Sequence, residues 1–362
     1  MFEQPTIPKR SEILDECSHS GQRIIAVFPI HYHRALLRAH DLLPIEVWGP
    51  AGYSTTNADA HLQAYVCSIA RCGLSFALDG GLNKARAILV PHSCDSLQGL
   101  GSVFLDFIKP KTPVLTLYVP RARREADTEF LARELRALDQ KLSQISGQTP
   151  SHAQLHSCID AEQRADELMD NLLKNRMKIP MSNYDFYRLL RSRQYVAAQR
   201  FAKLANSVLE SADDHIKDNP HRVIISGIVP EPMELLSALD DAGLTIVWDD
   251  TACIGRRIYP QTHDDDPYVR MAKSMLTGPA DPELGSSIGD RTEYLLNLTR
   301  KYNAHGLVFW SVKFCEPELF HIPQVSQALG MAGIRTLFLE VDISEPSTAQ
   351  VLTRLEAFAE SL

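Results

Sequence analysis

The sequence predicts an α/β protein built from two Rossmann-like parallel-sheet units with an intervening helical region. Three observations predict it. Short apolar runs closed by Pro, Gly or Asp recur over residues 22–120 and again from His221 onward, each followed by a helical pattern. Buried strands of a parallel sheet read this way because both of their faces are covered. Between the two stretches, Arg121 to Pro220 carries long charged, Leu- and Ala-rich segments without a strand signal. A length of 362 residues also suits more than one core. The expected organisation is an N-terminal α/β domain over 1–120, a helical region over 121–220 and a C-terminal α/β domain over 221–362.

The first strand is the run IIAVFPI after Arg23, closed by Pro29, and helical spacing follows over Tyr32 to Asp41. LPIEVWG (Leu43 to Gly49) reads as a second strand. The long segment Ala58 to Leu78 places Leu62, Tyr65, Val66, Ile69, Cys72 and Phe76 at helical spacing, with Cys67 inside that helix. RAILVP (Arg86 to Pro91) is a third strand, Ser96 to Phe107 a helix, and PVLTLYVP (Pro113 to Pro120) a fourth strand. EFLARELRALDQKLSQI and YVAAQRFAKLANSVLESADDHI then read as helices. In the last third come RVIISG, a helix over Glu231 to Ala242, LTIVWDD, a polar excursion over Gln261 to Leu284, and a helix to Tyr302. GLVFWSV, a helix, TLFLEVD and a closing helix complete the chain. Open parallel sheets bind ligands at their strand ends, so the cleft between two such units is where a site is expected.

Composition narrows the function. Thirty-seven basic against 45 acidic residues give a net charge of -8, which removes the positive field that nucleic-acid and anionic-membrane binders rely on. No apolar run approaches the roughly 20 residues of a membrane helix, and the first residues mix acids and bases where a secretory signal needs a basic tip and an apolar stretch. A cytoplasmic address is expected. GxxxxGK[ST] and GxGxxG are both absent, so neither a phosphate-cradling loop nor a dinucleotide fingerprint is encoded.

Seven cysteines in a reducing compartment are core fillers, reactive groups or metal ligands. Cys94 follows the strand RAILVP in VPHSCDS, and Cys315 follows GLVFWSV in VKFCEPE, so both sit where sites are built. One turn of its helix would bring Cys67 (AYVCSIARC) to the same cleft. Three thiolates from separated segments could hold zinc or three corners of an iron-sulfur cubane. Buried free cysteine is also a common small core residue, and no CxxC pairing is present to decide between the two.

The ordered set of segments is more specific. PIHYHRALLRAHDLLPIEVWG, AYVCSIAR, VPHSCDS, RVIISGIVPEPMELLSALDDAGLTIVWDDTACIGRR and FWSVKFCEPELFHIPQVSQALGMAGIRTLFLEVDIS, with TRLEAFAE at the close, span nearly the whole chain. Together they resemble the family of 2-hydroxyacyl-CoA dehydratase and benzoyl-CoA reductase subunits. The resemblance implies a 4Fe-4S cluster on Cys67, Cys94 and Cys315. It also implies one-electron reduction of an acyl-CoA thioester, leading to loss of the 2-hydroxyl or to ring reduction. Electrons would come from a separate ATP-hydrolysing activator, which fits the missing phosphate loop, and a paralogous subunit or a second copy would complete a dimer.

Other residues follow from position. His31 and His33 after the first strand are candidate proton donors or acceptors; Ala35 stands where other members often carry Glu, so no carboxylate base is carried over there. Arg71, four residues after Cys67, and Asp250 and Arg256 at the end of LTIVWDD are candidate cofactor-binding residues for thioester, phosphate or pantetheine groups. Asp95 and Ser96 suit a helix cap. Two further readings remain: a scaffold or electron-relay subunit without its own catalysis, and a double-cubane cluster that recruits Cys72 and Cys253.

Overall fold

A computed structural model describes residues 5–213, 221–345 and 349–362. After α1 (Arg10–Ser20), the first sheet is built from β1 (Arg23–Val27), β2 (Leu42–Glu46), β3 (Ile88–His92) and β4 (Val114–Tyr118). Their crossovers carry α2 (Arg34–Ala39), α3 (Ser68–Leu78) and α4 (Asp95–Ser102), the last continued by a π-helical turn over Val103–Ile108. Four helices follow: α5 (Glu125–Ser146), α6 (His152–Lys174), α7 (Asn183–Ser192) and α8 (Ala198–Glu210). The second sheet comprises β5 (His221–Gly227), β6 (Leu244–Thr251), β7 (Gly306–Val312) and β8 (Arg335–Val341). It is interleaved with α9 (Glu234–Asp241), α10 (Pro267–Leu276), α11 (Ile288–Lys301), α12 (Glu316–Met331) and α13 (Ala349–Ser361). The C-terminal part of the predicted helical region, 214–220, lies outside the described residues.

Both sheets are wholly parallel, with orders β2-β1-β3-β4 and β6-β5-β7-β8. The predicted pair of α/β units is therefore present, and the two share one topology. Alternation on β1 sends Ile24 and Ala26 into one core and Ile25 and Val27 into the other, which is why the strand reads as continuously apolar. Pro44, opposite Ile25, is tolerated because β2 is an edge strand and loses no ladder bond on its open side. In each sheet the chain reverses direction of winding between the first and third strands, so the loops after β1 and β3, and after β5 and β7, open at a switch point.

Two elements depart from the sequence reading. The polar excursion over Gln261 to Leu284 contains α10, whose Tyr268, Met271, Ala272, Met275 and Leu276 pack with Leu131, Leu135, Leu138 and Leu142 of α5 beneath the first sheet. Its start was encoded: the Asp266 carboxylate accepts the Tyr268 N–H at 2.9 Å, and Pro267 occupies the first helical position. The helix expected over Ala58 to Leu78 instead breaks into a 3-10 turn over Ala58–Ala60 and α3. Tyr65, placed in the apolar stripe by spacing, is 61% exposed.

Candidate functional site

Cys67 is thus not inside a helix but at the N-cap of α3. Cys94 is the N-cap of α4, in the position expected of Asp95 or Ser96, and Cys315 is the N-cap of α12. All three thiols line one cavity of about 160 Å³, together with Asp95, Ser96, Arg121, Glu316, Pro317 and Phe320. The first unit supplies Cys67 and Cys94 and the second supplies Cys315, so the cavity exists only where the two units meet. Phe314, at φ 64°, takes the left-handed conformation that β-carbon sterics disfavour, and this turn delivers Cys315 from the end of β7.

Three helix N-termini facing one cavity bring unpaired N–H groups and positive dipole ends to the sulfurs. Burial pushes the Cys67 thiol up, while the N–H groups of Ala70 and Ile69 and the Ser96 hydroxyl pull it down. Cys94 is pushed up to about 12 by burial and by Cys67, and Cys315 is raised further by burial and by Glu283 and Glu318. Among the described residues the three thiols do not form a set of ligand atoms within 4.8 Å of one another. Thiolates sharing a single Zn²⁺ at about 2.3 Å would stand less than about 4 Å apart.

Glu283 and Glu318 belong to a buried charge network behind the cavity. Arg256, without solvent exposure, contacts Glu318, Glu283 (3.2 Å), Asp281 (3.5 Å) and Asp250 (3.6 Å). Arg291 grips Asp250 with both guanidinium nitrogens and donates to Ser226 Oγ at 2.9 Å. His31 Nε2 lies 3.3 Å from Asp281 Oδ2, and its Nδ1 lies 3.2 Å from the Tyr259 hydroxyl. Burial opposes ionisation of both acids; Asp281 is nevertheless held well below the carboxylate range by Glu283, Arg256 and His31, whereas Glu283 is pushed well above it.

A family model described as 2-hydroxyglutaryl-CoA dehydratase, D-component, matches residues 29–362. The chain belongs to that family. It is 26% identical to the (R)-phenyllactyl-CoA dehydratase beta subunit of Clostridium sporogenes, over 97% of this chain and 94% of the relative. Against the lactoyl-CoA dehydratase subunit beta of Anaerotignum propionicum the identity is also 26%, over 96% and 94%. A benzoyl-CoA reductase subunit of Thauera aromatica matches at 24% over 84% and 82%. The family resemblance read from the sequence is therefore correct, and the chain is similar to subunits of acyl-CoA dehydratases and reductases along nearly its full length.

The dehydratase family's implied cluster can be tested against this donor set. Three thiols, the Arg121 guanidinium and three helix N-termini suit an anionic thiolate-bound group. The spare cysteines are elsewhere: Cys72 donates to the Tyr53 carbonyl, Cys253 contacts Thr251 Oγ1 at 3.2 Å, and neither lines the cavity.

The remaining predicted residues are not cavity residues. His31 is wholly buried in the charge network. His33 is buried with Nδ1 unpartnered, and burial holds its imidazole down at about 4. Arg71 donates to Asp59 from Nε at 3.1 Å and to Thr55 Oγ1 at 3.0 Å. Asp250 and Arg256 are enclosed by their own ion pairs. Sequence reasoning missed Asp281, Glu283, Glu318, Arg121 and Phe320. The first two sit in the segment read as polar excursion; the pattern Asp-Pro-Glu, which caps the short 3-10 turn Pro282–Leu284, was the available signal.

Proposed function

We propose that this chain is the iron-sulfur subunit of a 2-hydroxyacyl-CoA dehydratase or benzoyl-CoA reductase type enzyme. Cys67, Cys94 and Cys315 would hold a 4Fe-4S cluster. The observation that carries the reading is the convergence of these three thiols, from three helix N-termini and both units, on one cavity. A cluster held there would supply one low-potential electron for reduction of an acyl-CoA thioester. The chain's own residues fix the three sulfurs at helix starts, and the buried Arg256 network behind them sets a rigid, charge-balanced wall. The electron would be delivered by a separate ATP-hydrolysing activator, since the sequence has no phosphate-binding loop.

Purified anaerobically, the chain is expected to hold close to four irons and four acid-labile sulfides. Each of Cys67→Ser, Cys94→Ser and Cys315→Ser should lose them, whereas Cys72→Ser and Cys253→Ser should not. Eight irons would favour the double-cubane arrangement, and no iron after reconstitution would sink the cluster.

One observation favours an electron-relay role within the same assembly. A cavity of about 160 Å³ is smaller than the roughly 300 Å³ or more of ordinary ligand pockets, so this chain alone has little room for an acyl-CoA beside the thiols. Phe320 at its rim is 73% exposed, and Tyr65, two residues before Cys67, is also exposed. Apolar surface of this kind around a site suits a covering subunit. The relatives, each named as one subunit of a larger enzyme, support a paralogous partner or a second copy in that place. Acyl-CoA added to the isolated chain separates the roles: a shift in the cluster's electron paramagnetic resonance signal supports direct catalysis, and a shift only with the partner present supports relay.

No described helix is long and apolar enough to cross a membrane. With all seven cysteines free, we place the protein in the cytoplasm. The acidic net charge supports the reading that neither nucleic acid nor a membrane surface is a partner.

A further inference from the structure

Three side-chain atoms behind the thiol cavity, His31 Nε2, Asp281 Oδ2 and Glu283 Oε1, are fully buried and make no well-aligned hydrogen bond, although His31 Nε2 and Asp281 Oδ2 stand within ion-pair distance. A buried polar atom without a partner is costly, so three in one place call for an occupant. Each is the atom left free by an otherwise engaged residue. Arg256 takes Asp281 Oδ1 and Glu283 Oε2, the opposite oxygen in each case, and Tyr259 takes His31 Nδ1. One ligand atom from each of the three residues lies within 4.8 Å of the other two, and His31 Nε2 stands 3.3 Å from Asp281 Oδ2. Nitrogen and oxygen ligands at about 2.0–2.2 Å from one ion stand roughly 2.9–3.6 Å apart.

Charge points the same way. Asp250, Asp281, Glu283 and Glu318 share Arg256 and Arg291, and His31 stands against Asp281, so carboxylates outnumber guanidiniums four to two in this enclosed network. A bound cation would offset part of that excess of carboxylates. Ile30 and His31 both adopt positive φ, 69° and 54°, in the turn after β1.

We propose that His31, Asp281 and Glu283 bind a divalent first-row metal ion, with Zn²⁺ as the best-fitting probe, at a site separate from the three thiols. One imidazole and two carboxylates form a mixed, hard-to-borderline donor set, unlike the soft cysteine set. The Tyr259 hydroxyl orients the imidazole from behind, the arrangement by which outer partners tune a histidine ligand. Because His31 comes from the first α/β unit and Asp281 and Glu283 from the second, the ion ties together the two units that build the thiol cavity. A proton shared by the two carboxylates is the competing occupant.

The test uses the full chain, isolated anaerobically with its iron in place, exchanged into metal-free buffer and then incubated with Zn²⁺. The expected result is one zinc per chain after gel filtration with the iron content unchanged, a zinc-edge absorption spectrum showing nitrogen and oxygen scatterers alone, and a raised Tm. Tyr259→Phe should weaken zinc binding about 10- to 100-fold, and Glu283→Gln should abolish it, both keeping their iron. Sulfur in the zinc coordination shell would overturn the proposal by placing the ion on the thiols. So would absence of zinc together with an infrared carboxylic-acid band lost in Glu283→Gln, which would assign the site to the shared proton.

Discussion

The two α/β units have the same strand order yet furnish their strand ends with different chemistry. The third strand of each, β3 and β7, is followed by a cysteine at the N-cap position of the next helix, Cys94 and Cys315. The helix entering the third strand is capped by Cys67 in the first unit but by Ser287 in the second, where Asp281 and Glu283 lie just upstream. The second strand of each ends in a buried carboxylate, Glu46 in β2 and Asp250 in β6. One scaffold thus carries mostly soft donors on one side of the junction and mostly hard ones on the other. Position in a parallel sheet determines where a site stands, and residue type determines what it holds.

The largest expected effect breaks that comparison if it fails. Cys94→Ser and Cys315→Ser remove equivalent thiols from opposite units, so each should lower bound iron to below about a tenth of the wild-type content, given the three-thiolate reading. Retention of iron in Cys315→Ser with loss in Cys94→Ser would mean that the second unit merely walls the cavity. Far-ultraviolet circular dichroism of both variants distinguishes this from loss of fold.

A second contrast concerns the carboxylates. Asp250 is held inside its own unit by Arg291, whereas Glu46 reaches across: Arg257 of the second unit donates to it at 2.6 Å, Arg34 at 2.8 Å and the Tyr32 hydroxyl at 2.8 Å. Glu46→Gln leaves two buried guanidiniums without their anion and should cost about 3–5 kcal/mol in urea unfolding at pH 7. Burial alone would raise the Glu46 carboxyl, but Arg257 and Arg34 outweigh it and hold it down at about 2, against an ordinary value of 4.5. A depressed acid stabilises the fold above its unfolded value and loses that contribution as pH falls toward its folded one. The gap between wild type and Glu46→Gln should therefore shrink by about 1.4 kcal/mol per pH unit below pH 4.5. A pH-independent gap would show that Glu46 is not the cross-unit anion.

Much of this was legible in the sequence. Strands closed by Pro, Gly or Asp, and cysteines directly after two of them, are local signals, and all eight strands follow from runs such as IIAVFPI and GLVFWSV. What could not be read was pairing across the junction. Nothing near His31 in sequence announces Asp281, and nothing near Glu46 announces Arg257, because such partners are set by how the units pack. Cys67 stands at a helix start where spacing expected it inside a helix: spacing treated Tyr65 and Val66 as one stripe with Ile69, and periodicity cannot register a break that leaves Tyr65 in solvent.

The smallest effect sharpens the same lesson. Arg71 sits one turn beyond Cys67, close enough in sequence to be read as a cofactor ligand, yet its guanidinium is occupied by Asp59 and Thr55, and Asp59 is substantially exposed. An ion pair open to solvent contributes at most about 1 kcal/mol. Arg71→Ala should therefore shift the urea midpoint only slightly and leave iron per chain unchanged. If iron were lost instead, the first unit would be shown to hold its cysteine helix in place through Asp59, and residues beyond the cavity wall would have to be counted as part of the site.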